Sequence, residues 1–165
     1  MEIKHFKMCV TPEQSRIVQQ TLFNNEYRWA GEKGKNIDCL NKPYLYWENL
    51  LKHGSIKDNF IEDHLPELTF QEFFDTYVKW CIRGSKELAL WQLEDMHDKC
   101  DCHFREDNIY YKPISGLLFW TPYNNLPEDY IEITFEQFKQ YVLKTKEDKV
   151  MEKKIIGYKL KEEAF

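Results

Sequence analysis

The sequence predicts an α+β domain, a mixed or antiparallel sheet carrying about four helices. Three observations lead there. A Thr followed three residues later by Glu or Gln, the pattern of a capping box, opens helical stretches at Thr11, Thr69 and Thr134. Short aromatic runs bounded by Gly, Asn or Pro, such as Tyr44-Leu45-Tyr46-Trp47 and Leu117-Leu118-Phe119-Trp120, have the form of strands. Finally, Glu67-Leu68-Thr69-Phe70-Gln71-Glu72-Phe73 aligns with Glu132-Ile133-Thr134-Phe135-Glu136-Gln137-Phe138. That match leaves open a partial internal duplication, in which the second copy lacks its leading helix; the simpler reading is that any cap before an amphipathic helix looks this way.

The elements follow in order. Ile3, Phe6 and Met8 to Val10 suggest a first strand. Pro12 stands at the first helical position, where its missing N–H costs nothing, and Ile17, Val18, Leu22 and Phe23 share one face, so a helix is expected over 12–24. Asn24-Asn25 supplies its stop, because Asn tolerates the left-handed conformation. Tyr27 to Ala30 and Tyr44 to Trp47 read as strands, and the Gly-, Asn- and Lys-bearing segment 31–43 as an exposed loop between them. Residues 70–82 read as a second helix, with Phe70, Phe73, Phe74, Tyr77, Val78 and Cys81 along one stripe. Gly84-Ser85 breaks it before a third from Glu87 to Leu93, and the two are expected to pack as a hairpin or bent pair. Ile109 to Tyr111 and Leu117 to Trp120 return to strands, Tyr130 to Ile133 leads into a fourth helix over about 135–146, and Lys154 to Leu160 alternates as a last strand. The chain reads as one domain over 1–165, divisible into a first module 1–82, a helical insert 83–107 and a second partial module 108–165.

Composition removes several classes of function. With 23 Lys+Arg against 28 Asp+Glu, the net charge of −5 tells against a general electrostatic grip on nucleic acid or anionic lipid. Aromatics at 16% with only 6 Gly and 6 Pro exclude a low-complexity chain. Apolar runs such as Leu117 to Trp120 stop after four residues, where about 20 would be needed to span a bilayer. The first residues lack the apolar stretch of a signal peptide, so a cytoplasmic protein without a membrane partner is expected, and its five cysteines read as reduced thiols.

The densest set of potential ligands is His97, Cys100, Cys102 and His103, two imidazoles and two thiols of the kind zinc favours. Their Cys-x-Cys spacing has no second pair at a knuckle distance, and Cys39, Cys81 and His64 could complete a site only through the fold. A solvated helix end with incidental thiols is the other reading, and the expectation is no cofactor. Walker, G-x-S-x-G, H-E-x-x-H and G-x-G-x-x-G motifs are missing, and Glu62-Asp63-His64 reads as a polar turn before Pro66 rather than a catalytic group. The aromatics offer a second candidate. Alternation places Tyr44 and Tyr46 on one face of a strand and Leu45 and Trp47 on the other. An uncovered face would present rings for stacking, with cations nearby, so the candidate ligand- or partner-binding residues are Arg28, Trp29, Lys33, Lys35, Tyr44, Tyr46 and Trp47. The alternative is that these aromatics fill a two-layer core.

Thr11-Pro12-Glu13-Gln14 through Val18-Gln19-Gln20-Thr21-Leu22-Phe23, followed by Tyr27-Arg28-Trp29 and Pro43-Tyr44-Leu45-Tyr46, resembles small uncharacterised accessory proteins of tailed bacteriophages. Those carry a strand, a V-Q-x-x-L-F helix, an aromatic strand pair and a capped helix start with Phe; where they usually end the first helix with Gly, this chain has Asn24-Asn25-Glu26. The resemblance covers about residues 3–48 and the two T-F-x-x-F helix starts, and it implies a shared fold without an inherited active site. By analogy it implies a non-enzymatic protein of the host-cell cytoplasm that binds and antagonises a host protein, such as a defence or regulatory factor. A sponge for a nucleotide signal is the alternative, and a small enzyme with a fold-assembled site the third reading. Self-association remains open, and nucleic acid is not an expected partner.

Overall fold

A computed structural model of the chain describes residues 1–31, 34–95, 110–114, 117–120, 126 and 128–144. The described residues fall into two compact units, Met1–Ile133 and one that begins at Thr134. The first holds two sheets.

β1 (Phe6–Cys9) leads into α1 (Pro12–Asn24), whose bounds are those the sequence predicts. The capping box closes as expected: Gln14 N donates to Thr11 Oγ1 at 3.2 Å and Thr11 N to Gln14 Oε1 at 3.0 Å, satisfying two amides that the helix itself leaves unpaired. Its end departs from expectation. Asn25 stays at φ −97° with its Nδ2 donating to Thr21 O, and Glu26 takes the left-handed position at φ 67°. β2 (Tyr44–Glu48) and β3 (Leu50–Gly54) form a tight hairpin with Asn49 at φ 67° between them, and the sheet runs β1-β2-β3, antiparallel throughout. Tyr27 to Ala30, predicted as a strand, contributes a single parallel bridge, Trp29 to Leu51. Ala30 N donates to Leu51 O and Leu51 N to Arg28 O, which covers the free edge of β3. At the opposite edge Lys7 N donates to Pro66 O and Leu68 N to Lys7 O. Neither edge is left open to another strand.

The inner face of this sheet, Phe6, Met8, Leu45, Trp47 and Leu51, is buried together with Val18 and Leu22 of α1. α3 (Phe70–Tyr77) closes over it, with Phe73 edge-on to Phe6 at 5.4 Å. Gln19, fully buried, holds the segment after α1 through main-chain bonds in both directions: its Nε2 donates to Asp38 O at 2.7 Å and its Oε1 accepts from Asp38 N at 2.9 Å. Trp29 anchors the same segment through Nε1 to Asn36 O.

The outer face carries one charge in an unusual place. Lys7, only 7% exposed, reaches the end of α2 (Lys57–Glu62) and donates to Phe60 O at 2.6 Å, Asp63 O at 2.9 Å and Ile61 O at 3.3 Å. Three ammonium donors thus meet three helix-end carbonyls, and the helix dipole favours a cation there. Nothing local would hold a six-residue helix with no side-chain N-cap; Lys7 and the burial of Phe60 do.

β4 (Trp80–Arg83), α4 (Lys86–Asp95), β5 (Tyr110–Ile114), β6 (Leu117–Trp120) and β7 (Ile131–Ile133) build the second sheet in the order β6-β5-β4-β7. The helix expected over 70–82 therefore stops at Tyr77, and β4 separates it from α4, so the expected hairpin of these two helices does not form. Val78 is extended at ψ 116°, and β4 bonds to β5 on one side and to β7 on the other. Ladder partners on both sides outweigh the helical stripe, which Val78, Trp80 and Ile82 support only weakly.

The two sheets share one connectivity: strand, helix, hairpin, parallel strand, capped helix. Lys7 pairs in parallel with Glu67 as Cys81 does with Glu132, and Glu67 and Glu132 are the residues aligned by sequence. Ser85 caps α4 by accepting from Leu88 N at 3.2 Å, at the place Thr11 holds before α1. The second sheet thus also has a leading helix, where the duplication reading expects none.

In the second unit Thr134 caps α5 (Phe135–Gln137), which continues as a π-helical segment, Phe138–Leu143, to Lys144 at φ 50°, in place of the α-helix expected to 146. The strand predicted at 154–160 lies outside the described residues. No helix of the described residues is long and apolar enough to cross a membrane.

Lys7→Met keeps most of the stem and removes the ammonium, leaving three carbonyls without their donor. Urea unfolding is expected to register a loss of about 2–3 kcal/mol, with faster hydrogen exchange across 57–65 than elsewhere in the first unit.

Candidate functional site

The outer face of the first sheet is built by alternation. Tyr44 and Tyr46 share one face of β2 as predicted, and with Glu48 they point away from the core; their cross-strand partners Gly54, Lys52 and Leu50 share that face. The chain from Ser55 to Leu65, held down by Lys7 and Phe60, rises beside them and leaves a groove of about 440 Å³.

The floor of the groove is Tyr46. Its ring lies so close to Gly54 that a Cβ there would sit 3.0 Å from Cε2 and 3.2 Å from the hydroxyl oxygen, so a glycine at the end of β3 is what lets the ring lie flat. Burial pushes the Tyr46 hydroxyl up from its ordinary value, and the carboxylate of Asp63 and the neighbouring Tyr44 add to the shift. One end of the groove is basic: Lys42 Nζ meets Ser55 Oγ at 3.4 Å. The other end is acidic, with Glu48 Oε1 3.4 Å from His64 Nε2 and Asp63 Oδ1 accepting from Leu65 N at 2.8 Å. Among the described residues, the Lys52 ammonium, the Asn59 side-chain amide and the Tyr46 hydroxyl have no protein partner, and all three line the groove.

The structure separates the residues predicted for binding. Trp29 and Trp47 are 2% and 1% exposed. Their indole N–H groups donate to Asn36 O and Ile3 O, so both are core residues and neither offers a stacking surface. The two-layer-core alternative describes them. Tyr44 stacks on Phe60 at 4.7 Å and is covered by it. Arg28 is exposed beyond the edge of β3, Lys35 pairs with Glu26 at 2.5 Å, and Lys33 lies outside the described residues. Of the six that are described, only Tyr46 lines the groove. Lys52, Ser55 and Asn59 were not anticipated because Leu50 to Gly54 alternates poorly. The signal that could have found β3 is Asn49, a turn residue directly after an aromatic strand.

Of the residues that could complete a metal site only through the fold, Cys39, Cys81 and His64 are described. Cys81 is fully buried in β4, its thiol pushed up to about 12 by burial first and then by the charge of Glu132. Cys39 is half-buried and His64 exposed, and among the described residues no three His, Cys, Asp or Glu are placed to hold an ion. His97, Cys100, Cys102 and His103 lie outside the described residues.

A second polar cluster spans the other sheet. Arg83 donates from Nε to Glu132 Oε1 at 3.1 Å and from Nη2 to the Tyr110 hydroxyl at 2.5 Å, and that hydroxyl donates to Glu132 Oε2 at 3.0 Å. The carboxylate holds the guanidinium above its ordinary value, and burial first, then Glu132, raises Tyr110. These groups face one another and tie β5, β4 and β7 together.

Two measurements check this geometry. Gly54→Ala is expected to cost about 1 kcal/mol in the wild type and to be neutral or stabilising in a Tyr46→Ala background, a coupling that a double-mutant cycle reads directly. For Cys81 the folded value lies above the ordinary 9.0, so its contribution to stability is whole below pH 9.0 and is lost as pH climbs toward about 12. Urea unfolding across that window should fall less steeply for Cys81→Ala than for the wild type, while Tyr46 and Tyr110 keep a slope in both.

Comparison of the chain with known protein families, with curated proteins and with solved structures finds no match.

Proposed function

We propose that the chain is a non-catalytic binding protein whose groove-bearing face takes a partner protein. The observation that carries this reading is a pair of exposed isoleucines: Ile56, at the N-cap of α2, and Ile61, within it, are 59% and 61% exposed, and Ile56 also lines the groove. Apolar anchors beside a pocket with a tyrosine floor and charged ends are the composition of an interface core and rim. The resemblance to phage accessory proteins directs the partner class to a host protein, antagonised in the host-cell cytoplasm, and a net charge of −5 suits a basic partner. The nucleotide-sponge alternative leaned on Trp29 and Lys35, and the burial of the first and the pairing of the second with Glu26 favour the protein partner over it.

Native mass spectrometry of the tagged chain after incubation with host-cell lysate tests the reading. The wild type is expected to retain a protein at fixed stoichiometry. Ile56→Asp with Ile61→Asp should lose it at an unchanged melting temperature, since both side chains are exposed and such substitutions move stability by about 0.5 kcal/mol or less. Equal capture by the double variant, or a nucleotide-sized mass in place of a protein, overturns it.

A further inference from the structure

We infer that the basic end of the groove is a site for the phosphoryl group of a phosphate monoester. The inference does not depend on the partner reading: the ester can be a phosphorylated side chain of a partner or a free small molecule, and titration separates the two.

The carboxylates lining the groove are engaged, and its ammonium groups are not. Glu48 Oε1 lies 3.4 Å from His64 Nε2, and Asp63 Oδ1 accepts from Leu65 N at 2.8 Å. Lys52 has no partner among the described residues, and Lys42 Nζ meets only the uncharged hydroxyl of Ser55, at 3.4 Å. Two cations thus line one groove without a contacting anion, and a ligand of opposite sign gains from both.

Strand register brings these groups together. Lys52 is the cross-strand partner of Tyr46, and Gly54 stands one same-face step farther along β3, about 6.6–6.8 Å away. The Tyr46 hydroxyl oxygen rests at Gly54, 3.2 Å from where a Cβ would be, and Ser55, with Lys42 at its Oγ, follows directly. The flexible four-carbon stem of Lys52 covers that step. An anion at Gly54 therefore has an ammonium toward each end, the Tyr46 hydroxyl beside it and the Asn59 amide in the α2 wall. Burial, with Asp63 and Tyr44 adding, holds the Tyr46 hydroxyl above its ordinary value, so it stays a donor at neutral pH.

The donor set selects the ligand class. Of the described residues lining the groove, two are lysines and none is arginine, so charge is offered at points and not as the planar fork that pairs with a carboxylate. A phosphate monoester carries about −1.5 to −2 at neutral pH with three acceptor oxygens, a match for two ammonium groups, a phenol and an amide. A diphosphate would set its second charge against Glu48 or Asp63, which limits the class to monoesters. The volume, about 440 Å³, leaves room for the organic part of the ester beside Ile56 and Leu65.

The test titrates the full ¹⁵N-labelled chain with glycerol 3-phosphate, with a capped Ala-phosphoserine-Ala tripeptide and with acetate. Saturable shifts at the amides of Tyr46, Ser55 and Asn59 are expected with both phosphates, and acetate should bind about fivefold more weakly or not at all. Lys42→Met and Lys52→Met, at unchanged melting temperature, should each weaken the phosphates about fivefold. Lys4→Met, which removes the same charge from an exposed site outside the groove, should leave affinity as it was. Tighter binding of the tripeptide upholds the site and assigns the phosphoryl group to a partner's side chain; equal or tighter binding of glycerol 3-phosphate upholds it and assigns a free small molecule. No saturable binding of either phosphate, acetate as tight as phosphate, or an equal loss on Lys4→Met overturns the inference. Lysate capture that depends on Ile56 and Ile61 stands or falls separately.

Discussion

The buried ammonium of Lys7 is the constraint on which the first half of the molecule turns. Its backbone N–H and carbonyl bond β1 to Pro66 and Leu68, and its side chain gathers the carbonyls of Phe60, Ile61 and Asp63. One residue thus seals an edge of the sheet and fixes the chain that forms a wall of the groove. A charge taken out of water is costly unless every donor is met, and here each of the three donors has a carbonyl. The arrangement explains how a six-residue helix, too short to persist alone, comes to have one position.

At the equivalent register of the second sheet stands Cys81, fully buried and neutral. The shared connectivity therefore carries two different solutions to one problem. In the first sheet a charge on the edge strand holds an added helix over the outer face. In the second the polar work moves outward to Arg83, Tyr110 and Glu132, which bond to one another across three strands. Arg83 and Glu132 are 45% and 38% exposed at their side chains, so their ion pair is screened and contributes modestly, while the buried Tyr110 hydroxyl gives the cluster its directional bonds.

That contrast bears on where binding belongs. The polar groups on the second sheet are turned on each other, whereas those of the groove lie along a line with unlike charges at its ends and unpaired donors between them. Matching those donors and charges to a ligand costs little reorganisation, because Tyr46 is already seated on Gly54 and the wall is already tied down by Lys7. Ile56, exposed at the groove, adds apolar surface to it.

The sequence by itself determined what depends on neighbours a few residues away. The three capping boxes at Thr11, Thr69 and Thr134 close as read, since donor and acceptor are three residues apart whatever the fold does. The bounds of α1 and the opposite faces of Tyr44/Tyr46 and Leu45/Trp47 are local in the same way. The tertiary structure decided everything that needed a distant partner. Trp80 to Arg83 became a strand because β5 and β7 flank it, although its residues also fit a helical stripe. Trp29 and Trp47 went inward because Asn36 and Ile3 offered carbonyls to their indole N–H groups, while Tyr46, on the other face, stayed at the groove. Lys7 carries no signal in sequence at all: an ammonium in a strand reads as solvent-facing until three carbonyls more than fifty residues away close around it. Alternation says which side chains share a face, but only the packing of remote segments says whether that face is core, wall or open groove.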